Sequence, residues 1–170
     1  QDHTITLTDE QYKVVTAPLD ITQRIISVAG SGKTTTIVCR IKYLLEHNID
    51  PSTIILATFN VDAAQSMTAR LKSVMNNQIP KIKIGTMDSI ACSFYYKYFK
   101  RDGYVGVNEY STYLLQYLEG PHKDTILNQY HYFFFDEFQD VDEIQFKILQ
   151  KFYEAGTKLI VIGDNHQNIY

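Results

Sequence analysis

Four consecutive aromatic residues, Tyr132-Phe133-Phe134-Phe135, followed at once by Asp136-Glu137, constrain this 170-residue chain more than any other segment. A strand with one solvated face alternates apolar and polar side chains, whereas a strand covered on both faces reads as an unbroken apolar run. The segment is therefore predicted to be an interior strand of a parallel sheet with helices on both faces. Arg24 to Val28, Thr53 to Thr58, Ile82 to Gly85 and Leu159 to Ile162 read as further strands. Between them, Lys33 to His47 places Ile37, Ile41, Leu44 and Leu45 on one helical face, and Val61 to Met75 and a segment near 142–154 also read as helices. A Tyr- and Phe-rich helix is expected to run to about Lys100, and Thr8-Asp9-Glu10-Gln11 opens a first helix that stops before Pro18. Residues 102–129, with Tyr104, Tyr110, Tyr113 and Tyr117 among polar neighbours, are expected to form one or two short helices laid across the sheet, their tyrosines serving for packing. Strands alternating with helices of this length give an α/β fold, a doubly wound and mostly parallel sheet.

The length suits about one domain. A hydrophobic content of 45% with 21% charged residues is ordinary for a globular chain. No apolar run is long enough to span a membrane. The start, Gln1-Asp2-His3-Thr4, is neither basic nor apolar and so resembles no signal peptide. Its lack of an initiator Met points to a fragment of a longer protein. Cys39 and Cys92 have no metal-ligand spacing and fall in predicted helices, so reduced core thiols of an intracellular protein are expected. The net charge of −3 makes no global case for nucleic-acid binding. Yet Arg70, Lys72, Lys81, Lys83, Lys97, Lys100 and Arg101 cluster against one acid, Asp88. Such a patch is either a solvated face or a local contact for phosphates.

Two segments carry chemistry. Ala29-Gly30-Ser31-Gly32-Lys33-Thr34 follows an apolar strand and opens an amphipathic helix. Glycines there allow successive backbone N–H groups to turn inward at a helix N-terminus, the usual cradle for phosphates. Lys33 would reach the β- and γ-phosphates, and the Thr34 hydroxyl would ligate Mg²⁺. The full G-x-x-x-x-G-K-[ST] pattern is not met, because Ser27 stands at the first glycine; a plain Gly/Ser turn before a helix is the competing reading. Asp136-Glu137 would lie beyond the carboxyl end of its strand, where ligands of open α/β sheets bind. Asp136 then serves as outer metal ligand and Glu137 as the base that orients and deprotonates a water. A pair of acids can also simply begin a helix, and Asp140 and Asp142 are expected to cap the one that follows. Gly163-Asp164-Asn165-His166-Gln167 ends the last strand, with Gln167 placed to sense the γ-phosphate. Loop and acid pair together describe a nucleoside-triphosphatase.

The ordered set Leu7-Thr8-Asp9-Glu10-Gln11, the Ala-Gly-Ser-Gly-Lys-Thr loop, Ala57-Thr58-Phe59 with Ala63-Ala64, Gly85-Thr86, Asp136-Glu137-Phe138-Gln139-Asp140, and Gly163-Asp164 with Gln167-Asn168-Ile169-Tyr170 resembles the UvrD/Rep-type superfamily 1 DNA helicases. The resemblance implies a RecA-like P-loop NTPase fold, the N-terminal one of two motor domains, using ATP and Mg²⁺. It implies that Gln11 reads the adenine, although Thr8 and Gln11 also have capping-box spacing. Residues 29–34 and Thr35 would complete the ATP site. Phe59 and Asn60 would lie on the single-strand track, with Thr86 near the DNA backbone and Tyr170 stacking on a base. Read from the residues alone, Phe59 and Tyr170 are core candidates.

The sequence departs from that family at several points. Ser27 replaces the small residue usual at the loop's start, and Thr35 stands where relatives often carry an arginine. Val61-Asp62 replaces a usual Asn-Lys, and Asp88 a usual histidine. About thirty residues stand where many relatives insert a large helical domain, so that insertion is expected to be rudimentary. The chain stops before the second motor domain. The partners implied are single-stranded DNA or single/double-strand junctions and the second motor domain, with no membrane. The alternatives are a nucleotide-switched binding module and an RNA motor of the same superfamily.

Overall fold

The computed structural model describes residues 6–27, 32–78 and 80–164. Within them β1 (Gln23–Ser27), β2 (Ile54–Thr58), β3 (Lys83–Thr86), β4 (Tyr132–Phe135) and β5 (Lys158–Asp164) form one sheet in the order β1-β5-β4-β2-β3. Every pairing is parallel. Seven α-helices accompany them among the described residues: α1 (Asp9–Val15), α2 (Lys33–Glu46), α3 (Val61–Val74), α4 (Met87–Phe94), α5 (Tyr110–Leu118), α6 (Asp124–Leu127) and α7 (Glu143–Glu154). No helix among the described residues is long and apolar enough to cross a membrane.

The aromatic strand β4 is central, between β5 and β2. Its period of two divides its side chains between two cores. Tyr132 and Phe134 join Ile54, Leu56, Ile160 and Ile162 beneath Ile37, Ile41 and Leu44 of α2 and Met67 and Leu71 of α3. Phe133 and Phe135 join Ile55 and Ala57 beneath Ile90 and Phe94 of α4, Leu114 and Leu118 of α5 and Ile148 and Phe152 of α7. Burying each such side chain contributes about 1.5–3 kcal/mol. The sheet is wholly parallel among the described residues, with both faces covered as the unbroken apolar run requires.

A fully buried charge ties α1 to this frame. The Arg40 guanidinium on α2 donates to the carbonyls of Val15 (3.0 Å), Ala17 (2.6 Å) and Pro18 (2.8 Å). Burial lowers its pKa, while the neighbouring Tyr132 and Tyr43 act the other way. The Tyr132 hydroxyl adds a bond to the carbonyl of Leu19 at 2.7 Å. The segment leaving α1 is thereby fixed against α2 and the central strand.

The structure alters three sequence expectations here. The fourth helix does not continue regularly to Lys100; it becomes a π-helical turn over Tyr95–Phe99. Tyr95 is buried by that widening, and its hydroxyl donates to the Arg101 carbonyl while accepting from the Arg101 N–H. Residues 102–129 do give two helices, α5 and α6, and Tyr110, Tyr113 and Tyr117 pack against Tyr95 and Phe99. Tyr104 does not pack: it is 93% exposed. Cys39 and Cys92 are free thiols in helices, but half-buried rather than core.

Candidate nucleotide and nucleic-acid site

The amino end of α2 is built by Gly32, whose φ of +65° lies in the left-handed region that glycine tolerates. A Cβ at this position would collide with the side-chain amide of Gln11. Gln11 performs two tasks. Its Oε1 accepts from the Thr8 N–H (2.9 Å) while its own N–H donates to Thr8 Oγ1 (3.2 Å), closing the capping box of α1. Its Nε2 donates to the Gly32 carbonyl at 3.3 Å, so the residue also faces the end of the glycine loop. Ala29, Gly30 and Ser31 of the loop, and Gln167 and Tyr170 near the carboxyl terminus, lie outside the described residues.

The acid pair follows β4 directly. The Asp136 N–H donates to the Ala57 carbonyl (3.0 Å), extending the sheet ladder one residue past Phe135. The chain then turns at Glu137 through φ 59°, ψ 47°. A non-glycine residue in that conformation costs about 1–2 kcal/mol and is held by its surroundings. The Glu137 N–H donates to Asp136 Oδ1 at 2.9 Å. Lys33, the first residue of α2, meets both acids: its Nζ is 3.2 Å from Asp136 Oδ1 and also bonds Glu137 Oε1. Gln139 donates to the other oxygen of Glu137. Residues 103 and 104 positions apart in sequence thus share one ammonium group. Thr34 is the next residue of α2 and is half-buried.

The electrostatics of the three groups differ. Burial raises the pKa of Asp136 above the usual carboxylate value and outweighs the pull of Lys33. Burial acts on Glu137 in the same direction, but the bonds from Lys33 and Gln139 reverse it and hold this carboxyl below its usual value. Burial alone would lower Lys33, yet its contacts with Glu137 and Asp136 raise it overall. The directions for Lys33 and Glu137 follow from their mutual contact, whereas that for Asp136 follows from its burial. The Lys33 ammonium occupies the position on which the two carboxylates converge.

The nucleic-acid candidates lie beside this pair. Phe59, just beyond β2, is 61% exposed, which disfavours the core reading. Asn60 caps α3 by accepting from the Ala63 N–H (2.8 Å), and Thr86 caps α4 by accepting from the Ser89 N–H (3.1 Å). Thr58 and Thr86 are partners in the sheet register. Thr58, Phe59, Thr86, Asp88, Asp136 and Glu137 line a cleft of about 150 Å³. Asp88 is committed to Ser111, whose hydroxyl donates to it at 3.0 Å. Asp142 caps α7 through a capping box, but Asp140 sits in the 3₁₀ turn Phe138–Asp140 and does not cap, because the helix begins two residues later than that role requires.

Three contributors carried no sequence signal for their roles. Arg70, counted only within a basic cluster, reaches from α3 to donate to Thr35 Oγ1 at 2.6 Å. Gln139 supports Glu137, and Arg40 anchors α1. Arg70 and Arg40 act across elements and leave no periodic trace, and Gln139 reaches back two residues only because the chain turns at Glu137.

The chain is similar to known proteins. The model of the UvrD/REP helicase N-terminal domain matches residues 7–119 and 94–170. R568 of Acanthamoeba polyphaga mimivirus, named as an ATP-dependent DNA helicase, is 31% identical over 172 residues, covering 95% of this chain and 25% of its own length. The ATP-dependent DNA helicase srs2 of Schizosaccharomyces pombe is 37% identical over 99 residues, covering 57% of this chain and 11% of its own. The crystal structure of Pif1 helicase from Candida albicans superposes with a TM-score of 0.60 at 19% identity, covering 95% of this chain and 33% of that one, a likeness of fold. The chain therefore spans about a quarter of R568 and a tenth of srs2. It belongs to the UvrD/Rep helicase N-terminal domain family, the ATP-binding N-terminal domain of superfamily 1 DNA helicases.

Proposed function

We propose that this chain is the ATP-hydrolysing half of a motor that moves along single-stranded DNA and opens duplex. The observation that carries the reading is the convergence of Lys33 with Asp136 and Glu137 beside the cleft holding Phe59 and Thr86. The family membership supports ATP as the nucleotide. The Gly32 turn and the N-terminus of α2 would cradle phosphates, and Gln11, already facing Gly32, would flank the base. Arg70, bonded to Thr35, would bring a second cation to the same end of α2.

Lys33 has two alternative partners in this scheme. Bonded to the carboxylates it holds Glu137 below its usual pKa. When its ammonium turns to the γ-phosphate, Glu137 loses the larger of its two depressing contacts and its basicity rises. A base whose pKa moves toward the working pH takes a proton more effectively. Glu137 would then orient the attacking water and take its proton, with Gln139 holding the carboxylate in place. Thr34 and Asp136 would hold Mg²⁺, which when bound offsets phosphate charge and templates the reacting oxygens.

On this reading Lys33→Ala abolishes nucleotide binding. Glu137→Gln retains binding and lowers turnover about 10²–10⁴-fold, the range for loss of a general base. Steady-state ATPase and equilibrium nucleotide binding on the full-length protein check both, and normal hydrolysis by Glu137→Gln would exclude it as the base. Phe59, exposed in the cleft, would stack on bases with a sequence-tolerant grip worth ~1–3 kcal/mol each. Single strands should therefore stimulate the ATPase, and Phe59→Ala should reduce stimulated turnover more than basal. A nucleotide-switched binding module would ignore single strands. Movement also needs a second motor domain closing over ATP, so the 170 residues alone should not unwind duplex catalytically.

A further inference from the structure

We propose that the π-helical turn Tyr95–Phe99 and the two residues after it form a second nucleic-acid contact, separate from the cleft, in which Lys97, Lys100 and Arg101 hold phosphates and an adjoining slot admits one base. The inference rests on the reading of this chain as a DNA-directed motor and names a surface which that reading does not use.

The slot has a volume of about 160 Å³ and is lined by Phe99, Arg101, Tyr113, Gln116, Tyr117 and His122. That is about half the lower limit for sites of drug-sized ligands, so it suits a single ring system rather than an extended molecule. Its walls are aromatic and ordered. Phe99 and Tyr117 stack with centroids 4.8 Å apart at 23°. The Arg101 guanidinium lies 4.5 Å over the Tyr113 ring, and its Nη2 donates to Gln116 Oε1 at 3.3 Å. Flat walls, a guanidinium plane and polar groups at the rim match what stacks on a base and bonds its edge.

The cations of the stretch that leads into the slot are not paired with carboxylates. Among the described residues, none of Lys81, Lys83, Lys97, Lys100 and Arg101 has a carboxylate within 4.0 Å. Asp88, the one acid in the basic stretch, is bonded to Ser111. Lys97 and Lys100, both exposed, instead lie over the rings of Tyr98 (5.2 Å) and the exposed Tyr96 (5.7 Å). Burial, with Lys97 nearby, lowers the pKa of Lys83, so like charges are kept together here. The surface also lies apart from the cleft: α4 starts at the Thr86 cap and spans eight residues, about 12 Å, before the turn begins. An acidic protein segment would satisfy the cations but not the slot, and nucleic acid satisfies both.

The test uses the full-length protein and fluorescence anisotropy with a labelled oligothymidylate across a salt series, nucleotide absent. For single strands the slope of log K against log salt changes by about 0.7 for each phosphate neutralised. Lys97→Gln/Lys100→Gln/Arg101→Gln should therefore reduce the slope by about 2, and at 0.1 M salt weaken binding roughly a hundredfold. Gly120, at the slot's edge, has an ordinary backbone, and a Cβ there makes only van der Waals contacts. Gly120→Met should fill the slot and remove the preference for a normal strand over an abasic one while leaving the salt slope alone. Melting temperatures near that of the parent show that both variants fold, and a misfolded triple variant is replaced by its three single changes. An unchanged slope and affinity in the charge variants overturns the proposal, as does an unchanged base preference in Gly120→Met. Competition by polyglutamate as effective as by a strand of equal charge also overturns it. Failure of the parent protein to bind any strand would instead reject the motor reading itself.

Discussion

At the scale of single residues, the acid pair shows how neighbours in sequence acquire different chemistry. Asp136 continues the ladder and is buried, so its carboxyl titrates above the usual range. Glu137 turns left-handed and meets Lys33 and Gln139, so its carboxyl titrates below it. The stability consequences have opposite signs. A raised carboxyl pKa contributes stability that is present below the unfolded value and lost as pH rises through the folded one. A lowered pKa contributes stability that is present above the unfolded value and lost as pH falls through the folded one. Asp136→Asn is therefore expected to raise the melting temperature near neutral pH, with the gain shrinking as acid protonates the parent residue. Glu137→Gln should lower it near neutral pH and converge with the parent in acid. Thermal melts across that pH window check both, and equal shifts of one sign would refute the assignment. The sequence located this pair through the aromatic run before it. It could not separate the two acids' environments, because that depends on a residue about a hundred positions away.

At the scale of elements, α2 holds α1 at both ends. Gly32 accepts from Gln11 near the start of α1, and Arg40 gathers the carbonyls that follow it. Arg40→Met would leave those three carbonyls without their donor and is expected to cost at least about 3 kcal/mol, since each buried unpaired polar group costs about 1–3. Chemical denaturation measures the loss. Gly32→Ala should weaken nucleotide binding more than stability, because the added methyl displaces Gln11 and opposes a positive φ. The helical and strand segments were legible because their patterns follow from periods of 3.6 and 2. The π-helical turn was not, since it arises from burying Tyr95 against Tyr110 and Tyr113 of a later helix. The capping box at Thr8 was legible because both partners lie within three residues, whereas the sequence offered Asp140 and Asp142 together as caps of the last helix and only Asp142 serves.

At the scale of the whole molecule, five parallel strands bring the glycine loop's end, the acid pair and Phe59 to their carboxyl ends, although the chain separates them widely. The central aromatic strand makes this possible, and a cavity in its packing should weaken it: Phe134→Ala, at a fully buried position, is expected to cost about 3–5 kcal/mol. We propose that Lys33, Thr34 and Asp136 serve a single nucleotide with its cation. Equilibrium affinity for ATP, measured over a Mg²⁺ titration in the full-length protein and in Asp136→Asn, addresses it most directly. Affinity in the parent should rise with Mg²⁺ while the variant's stays nearly flat. Equal dependence on Mg²⁺ in both would contradict the shared site.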